Sequence, residues 1–285
     1  MDTIEYWSSN LSNSIFKDII IAIYNNITKI DAIKTHINYE YLTKSINYLL
    51  MSSPGEYIIN NYCLILKKYN RLICYYGIND SCKVSSDVKS IAKNAFANSH
   101  YLMHIEIPNT ITVINEGCFD NCTSLVNIVI PDSVYLICDD AFVRCVSLTN
   151  VTLSKKLTDI GKRAFCLCKS LSEIIIPENV NTIGAGAFAY CSNLKHVALP
   201  EKVINIATGL FKKCISLESI KLSDKILSIY DFAFENCFNL SEINLPDNPK
   251  HISENAFDGC SKLKNDTCEL LKKWQSPTPT SNIGS

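Results

Sequence analysis

The stretch LSEIIIPENVNTIGAGAFAYC at positions 171–191 decides the fold, because its spacing of apolar residues recurs along the chain. A Leu is followed by two apolar positions separated by one residue, then by Pro, Val, Ile, Phe and Cys at fixed intervals. The Phe of this stretch belongs to a series in which each Phe is 23 residues from the next. The series is Phe96, Phe119, Phe142, Phe165, Phe188, Phe211, Phe234 and Phe257.

Other residue types keep the same period. Ile stands five residues before each Phe of the series, and Leu stands six residues after it. Cys stands three residues after it in all units but the first, where Ser99 takes that place. Eight units without an insertion or deletion are a tandem repeat, in which stacking buries an apolar face that one unit alone leaves exposed. These ladder cysteines are Cys122, Cys145, Cys168, Cys191, Cys214, Cys237 and Cys260.

Each repeat contains a short predicted strand. The Leu-x-x-Ile-x-Ile segment ends with the period of two that is typical of a strand, and the following Pro suits a strand end because it cannot donate to a ladder. We therefore predict a β-rich solenoid of eight 23-residue coils over residues 87–265. A small α or α+β capping region is expected at 1–86, and a C-terminal cap remnant with a disordered tail at 266–285.

The pattern Leu-x-x-Ile-x-Ile-Pro-x-x-Val-x-x-Ile-x-x-x-Ala-Phe-x-x-Cys resembles the BspA-type leucine-rich repeat over about residues 88–265. That family is named for a bacterial surface antigen. The resemblance implies a horseshoe-like or gently curved rod used for binding, often on cell surfaces, and it implies no chemistry. The end repeats depart from the pattern, with Ser99 in place of Cys and Pro249 in place of an aliphatic residue, as expected of terminal repeats.

Composition and charge narrow the classes of partner. Lys and Arg number 27 against 28 Asp and Glu, so the chain offers no basic patch for a nucleic acid. No stretch approaches the ~18–20 apolar residues of a membrane span, so we expect no membrane insertion. The acidic start and the lack of a secretory apolar core predict a cytoplasmic protein by default, and the family resemblance raises the cell surface as the alternative.

The region before the repeats follows a different pattern. Residues 15–27 and 39–50 have helix-like apolar spacing, and the Ser-Ser-Pro-Gly sequence at 52–55 is a break. Residues 57–66 and 71–76 are predicted to be two strands joined as a hairpin through 67–70. Two interpretations remain open: a cap for the end of the solenoid, or an adaptor domain with a partner of its own.

The 14 cysteines raise the question of disulfide, metal or redox chemistry. The repeat explains seven of them as small buried apolar residues, reduced and inert. Stacked coils bring equivalent Cα atoms within disulfide range, but seven parallel side chains cannot all pair. No pair of Cys-x-x-Cys motifs exists to hold a metal. Cys63, Cys74 and Cys82 cluster before the repeats, where one bridge is possible.

No catalytic motif emerges from the sequence. The chain has no Gly-x-Ser-x-Gly, His-Glu-x-x-His or Walker pattern. His104 and His196 occupy the same strand position but are four repeats apart, so they cannot share a proton or a metal. We therefore predict a protein that is not an enzyme, with no cofactor and no metal.

The candidate binding residues are the outward-facing strand positions between the two apolar residues of each repeat. The middle of this column is apolar or nearly so, although an exposed strand face is usually polar. Two explanations of these apolar residues are open. They reflect only the preference of strands for β-branched residues, or they line a partner-binding groove. A row of acids in the turns after the strands, from Asp132 to Asp247, is either solvated turn chemistry or a site for a basic partner. The candidates are Glu106, Val129, Thr152, Ile175, Ala198 and Lys221.

The sequence thus predicts a scaffold that presents a solenoid surface to an unidentified protein ligand, with an unknown oligomeric state. The alternative is a cell-surface adhesion or antigen protein of the BspA-like type that binds host or matrix proteins. An enzyme carried by residues 1–86 has no supporting motif.

Overall fold

The structure is a computed structural model that describes residues 46–47, 50–51, 54–247 and 249–275. The predicted helix at 15–27, most of the one at 39–50 and the tail from 276 to 285 lie outside the described residues. The described chain winds into stacked coils, and most coils contribute one strand to each of two parallel ladders. The 23-residue period is the length of one turn of this winding, so the predicted β-solenoid is confirmed.

The N-terminal strands are β1 (Tyr57–Asn60), β2 (Cys63–Leu66) and β3 (Arg71–Tyr75). The first sheet, on the side of the Ile-x-Ile segments, consists of β4 (Ser81–Lys83), β6 (His104–Glu106), β8 (Asn127–Val129), β10 (Asn150–Thr152), β13 (His196–Ala198), β15 (Ser219–Lys221) and β17 (Glu242–Ile243). The second sheet has two sections, the first of β7 (Val113–Ile114), β9 (Leu136–Ile137), β11 (Asp159–Ile160) and β12 (Thr182–Ile183), the second of β14 (Asn205–Ile206), β16 (Ser228–Ile229) and β18 (His251–Ile252). On the same side of the first coil, β5 (Ser90–Ile91) pairs with β3 instead. A helix, α1 (Asn265–Gln275), follows the last coil.

Strand register aligns equivalent residues of successive repeats. Ile105 pairs with Ile128, and Ile128 pairs with Val151 on the next coil. Inward apolar side chains therefore lie against their own counterparts, and one continuous core runs from Cys63 to Leu271. Burial of this apolar surface is the main force that holds the coils together, because adjacent coils have no covalent link other than the chain.

The Phe residues of the repeat form a single stack through the core. Successive rings lie parallel or nearly so, with centroids 5.1 Å apart from Phe119 to Phe142 and 5.6 Å apart from Phe165 to Phe188. Tyr75 extends this Phe ladder by one ring, at 5.3 Å from Phe96. These separations lie in the range in which offset aromatic pairs attract each other beyond their burial.

The ladder cysteines have a second role besides filling space. The thiol of Cys168 donates to the carbonyl of Phe142 on the preceding coil, with a sulfur–oxygen distance of 3.2 Å. The same carbonyl accepts the backbone N–H of Cys145 at 3.2 Å. The other six ladder cysteines repeat the thiol–carbonyl contact at 3.1 Å. Cys is small and apolar enough for the core and still supplies a weak donor to a buried carbonyl.

The turn after each Phe has the same backbone conformation in every coil. The residue two positions after Phe has a positive φ in every coil, as at Asn121 (58°), Asn236 (60°) and Gly259 (77°). Gly and Asn adopt this left-handed conformation most readily. Arg144, Leu167, Tyr190 and Lys213 adopt the same positive φ in their coils, so the winding imposes this turn even where the side chain is large.

The N-terminal strands correct one part of the sequence prediction. Residues 57–66 are two strands instead of one, because Asn61 and Tyr62 turn the chain with φ of 49° and 58°. Such a two-residue turn with positive φ at both positions joins a tight hairpin. The predicted hairpin between residues 66 and 71 is confirmed, with Leu66 opposite Arg71.

The first sheet also differs from the prediction at one coil. Residues 174–176 were expected to be a strand, but they form none. The preceding residue, Glu173, makes an isolated bridge to His196 on the next coil. The sheet therefore consists of two sections, β4 to β10 and β13 to β17. The inward side chains Ile174 and Ile176 are still buried, so core packing holds this coil in the stack where strand hydrogen bonding is interrupted.

Gly184 permits a close approach of two coils on the second sheet side. A Cβ at this position would lie 2.5 Å from the backbone nitrogen of Lys162 and 2.7 Å from the carbonyl carbon of Gly161. We expect Gly184→Ala to lower the free energy of unfolding by about 2–3 kcal/mol, because the neighbouring backbone must move. Urea unfolding of both proteins measures the loss.

Gly209→Ala is the matched control for Gly184→Ala. Gly209 has φ of 62°, and its nearest contact for an added Cβ is 3.8 Å away. Its substitution tests the left-handed backbone alone, which we expect to cost about 1 kcal/mol. Equal losses at the two positions would show that the close approach of the coils is unimportant.

Candidate functional site

The six predicted binding residues form one column on the outer face of the first sheet. Glu106, Val129, Thr152, Ala198 and Lys221 each stand at the last position of a strand, with the side chain exposed. Strand pairing places Val129 beside Thr152 and Ala198 beside Lys221. The structure therefore brings the column together, one residue per coil.

The centre of the column is apolar and strongly exposed. The exposed fraction is 84% for Ile175 and 62% for Val129. Their chain neighbours Ile128 and Ile174 already fill the core behind them. These two side chains add nothing to the core, so they are available to another molecule.

A polar column runs beside the apolar one on the same face. The Nδ2 of Asn150 donates to the Oδ1 of Asn127 at 2.8 Å, and the Nδ1 of His196 lies 2.8 Å from the Oγ of Ser219. These contacts join neighbouring coils and fix the side chains in place. The face therefore combines an apolar stripe with ordered polar groups that can donate and accept hydrogen bonds.

Two hollows lie on this face, one on each side of Ile175. The first, of about 290 Å³, is lined by residues of β4, β6 and β8. The second, of about 560 Å³, is lined by residues of β13, β15 and β17 and is bounded by Lys264 and Thr267 near the start of α1. The helix thus closes the C-terminal end of the face, a feature that the repeat pattern alone did not predict.

Ion pairs at the ends and sides of the coils join charges on neighbouring repeats. The Nζ of Lys83 lies 2.6 Å from Glu106 at the N-terminal end of the column. Near the turns that follow the Phe residues of the repeat, Arg144 pairs with Asp120 at 2.7 Å and Arg163 with Asp140 at 2.5 Å. Such exposed pairs contribute about 0–1 kcal/mol each, so they fix orientation more than stability.

The acidic row in the turns after the first sheet is partly engaged within the protein. The Oδ1 of Asp132 accepts the backbone N–H of Lys155 at 3.0 Å, and Glu201 pairs with Lys225 at 2.8 Å. Both contacts link one coil to the next. These two acids therefore act as turn residues that join repeats.

Neither a metal site nor a membrane-spanning helix occurs among the described residues. They contain no group of three or more His, Cys, Asp or Glu side chains placed to hold a metal ion. His104 and His196 lie on β6 and β13, four coils apart. Within the part of the chain that the structure describes, no helix has the length and apolar character needed to cross a bilayer.

Burial determines the chemistry of the ladder cysteines. It raises the pKa of the Cys145, Cys168, Cys191 and Cys237 thiols well above the usual range, because a thiolate would lose its solvation. These thiols are therefore protonated at neutral pH and unreactive. Their place in the fold, buried and inert, is the one that the repeat predicted.

Parallel coils, a stacked aromatic core and an exposed strand face define this molecule as a solenoid repeat protein. The BspA type leucine rich repeat model matches residues 89–214 and 181–276, with 6 copies. The match covers more than half of the chain, so the chain belongs to the BspA-type leucine rich repeat family. A search of curated proteins found no match.

Solved structures with the same fold come from bacteria. The leucine rich repeat protein TpLRR of T. pallidum is 26% identical with a TM-score of 0.60, over 79% of this chain and 96% of that one. A leucine-rich repeat protein of Bacteroides ovatus is also 26% identical, with a TM-score of 0.60, over 65% of this chain and 47% of that one. A leucine rich cell surface protein of Faecalibacterium prausnitzii is 25% identical, with a TM-score of 0.53, over 75% of this chain and 54% of that one.

Proposed function

We propose that the chain is a non-catalytic scaffold that binds a protein ligand on the outer face of the first sheet. The observation that carries the proposal is the exposure of Ile175 and Val129 in the apolar centre of a strand face whose neighbouring column is polar. Apolar side chains that share one exposed face and have polar neighbours are typical of an interaction site.

The shape of the face favours an extended polypeptide segment as the ligand. The candidate column is one residue wide and runs across the strands, with an apolar or nearly apolar centre from Val129 to Ala198 and a charged residue at each end, Glu106 and Lys221. An extended segment laid along it has apolar side chains for the stripe and backbone groups for the polar column of Asn127, Asn150 and His196. Curved solenoids offer long surfaces of this type, and the family is generally non-catalytic.

A peptide selection tests this proposal directly. Peptides displayed on phage are selected on the wild-type chain, and each binder is then measured on the Val129→Glu/Ile175→Glu variant. We expect at least a tenfold loss of affinity, because a ligand on this face must desolvate two carboxylates. Thermal unfolding should show that the variant is folded, since both positions are exposed.

Ile204→Glu/Ile215→Glu is the control variant for the peptide selection. Both side chains are exposed and apolar, at 42% each, and both lie outside the first sheet. The same binders should keep their affinity for this variant within about twofold, because the proposed ligand site lies elsewhere. Binders that lose affinity for the control and keep it for the first variant would place the site on another face.

Cell-surface adhesion is the second candidate function, with host or matrix proteins as ligands. It is favoured by the similarity to the Faecalibacterium prausnitzii structure, which is that of a leucine rich cell surface protein. Antibody labelling of intact, non-permeabilised cells distinguishes the two. Surface labelling supports adhesion, and labelling only after permeabilisation supports an internal scaffold.

A further inference from the structure

Cys63 and Cys82 stand apart from the ladder cysteines. Their Sγ atoms lie 3.7 Å apart, in direct contact, and both side chains are buried. The ladder thiols donate to Phe carbonyls, whereas these two interact with each other. The contact joins two separate elements, because Cys63 begins β2 and Cys82 is the middle residue of β4.

The pair lies at the seam between the N-terminal hairpins and the first coil. A second contact crosses the same seam, where the Nδ2 of Asn61 donates to the backbone carbonyl of Lys83 at 3.1 Å. Tyr75, opposite Cys63 in the β2–β3 ladder, begins the aromatic stack that continues into the coils. A covalent bond between β2 and β4 would therefore also hold Tyr75 in place at the start of the aromatic stack.

We propose that Cys63 and Cys82 are a redox pair that forms a disulfide and locks the N-terminal hairpins onto the solenoid. The two sulfur atoms must approach by less than 2 Å to reach the bond length of about 2.05 Å. Side-chain rotation supplies a movement of this size, since the sulfurs are already in contact. The closed loop runs from β2 through β3 to β4 and holds all three strands.

Cys82 is the better placed of the two sulfurs to attack first, because it lies on the edge strand β4. A hydrogen bond from Cys63 lowers the pKa of the Cys82 thiol, in contrast to the raised values of the buried ladder thiols. Cys82 also borders the 290 Å³ hollow on the first sheet, but only 5% of it is exposed, so a small oxidant reaches its sulfur when the edge strand β4 opens locally. Thiolate character and access are the two properties that select a cysteine for exchange.

The oxidant is a low-molecular-weight disulfide, RSSR, of the glutathione class. The Cys82 thiolate attacks one sulfur of RSSR and releases RS⁻, which takes up the proton that Cys82 lost. The Cys63 thiolate then attacks the Cys82 sulfur of the mixed disulfide and displaces the second RS⁻, which becomes the second RSH. Two thiols are oxidised to one disulfide, and RSSR is reduced to two RSH.

The test uses the native full chain and glutathione disulfide. After incubation, the protein is denatured, its remaining free thiols are alkylated and counted, and its peptides are mapped without reduction. We expect two of the 14 thiols to be lost and one cross-link, between the peptides that contain Cys63 and Cys82. The oxidised protein should melt about 5 °C higher than the reduced protein, and dithiothreitol should reverse both changes.

Several outcomes would overturn the proposal. They are a full thiol count after oxidation, glutathione retained on Cys82, or a cross-link between other residues such as Cys237 and Cys260. Cys63→Ser should stop the reaction at the mixed disulfide, whereas Cys74→Ala should leave the Cys63–Cys82 cross-link intact. The peptide map of the wild-type chain decides the question even if a variant fails to fold.

Discussion

Phe165→Ala is expected to lower the free energy of unfolding by about 3–5 kcal/mol, because it empties the middle of the aromatic stack. Phe165 is fully buried, with Phe142 at 5.1 Å on one side and Phe188 at 5.6 Å on the other. The cavity interrupts contacts between three successive coils. Neighbouring rings cannot close it without breaking the strand register on both sides.

The loss is measured by urea unfolding followed by circular dichroism. Phe165→Leu keeps most of the volume, so we expect a smaller loss of about 1–2 kcal/mol and a measurable midpoint even if the Ala variant is unfolded. Phe238→Ala is the matched control, because the same residue type stands 47% exposed on the surface there. Similar losses for Phe165→Ala and Phe238→Ala would show that the stack is not a main source of stability.

The 23-residue repeat made both the core residues and the exposed face of the solenoid predictable from sequence. A fixed period of 23 residues requires equivalent residues to lie on neighbouring coils, so the positions of Phe165 and Cys168 in the core follow from arithmetic. Exposure of Ile175 follows from the same period, because its neighbours in the strand must face inward. The period therefore determined both the core and the candidate face.

Features outside the period were missed for identifiable reasons. Tyr75 continues the Phe ladder, but it stands 21 residues before Phe96 instead of 23, so the repeat pattern did not include it. The turn at Asn61 and Tyr62 lacks the Gly that usually marks a tight hairpin. The helix α1 carried a signal, since Leu271 and Trp274 are three residues apart and both pack against the last coil.

The thiol–carbonyl contacts and the Cys63–Cys82 pair were beyond sequence reasoning. A ladder cysteine donates to a Phe 26 residues earlier, and that offset depends on how the turn is wound. Cys63, Cys74 and Cys82 were equivalent in sequence, and only the fold of β2 against β4 places Cys63 against Cys82. Local spacing identifies which residues are buried, whereas contacts between different elements require the path of the chain.

Alkaline pH is expected to unfold the protein steeply, because the ladder thiols are buried as neutral groups. Burial raises the pKa of Cys145, Cys168, Cys191 and Cys237 above the value of about 8.5 for an unfolded thiol. The folded state then holds these protons while the unfolded state releases them. The stabilising contribution is complete below about pH 8.5, and it is lost as pH rises towards the raised folded values.

The expected size of the alkaline effect follows from linkage. Each of these four thiols removes up to about 1.4 kcal/mol of stability per pH unit above about pH 8.5 for as long as it stays protonated in the folded state, so the four together remove up to about 5–6 kcal/mol per unit. Summed over this range of pH, the loss is comparable with the whole stability of an ordinary domain, and we expect the chain to unfold near pH 10 at 25 °C. Urea unfolding at half-unit steps of pH measures the slope.

A serine variant separates the thiols from the Lys and Tyr residues that also titrate at alkaline pH. Cys168→Ser keeps a donor for the Phe142 carbonyl, as Ser99 occupies the equivalent place in the first repeat, and it removes one ionisable group. We expect the slope of stability against pH above 9 to fall by about 1.4 kcal/mol per pH unit, and by twice that in Cys145→Ser/Cys168→Ser. An unchanged slope would mean that the ladder thiols ionise without unfolding and that the stack tolerates buried charge, contrary to the solvation loss that raises their pKa.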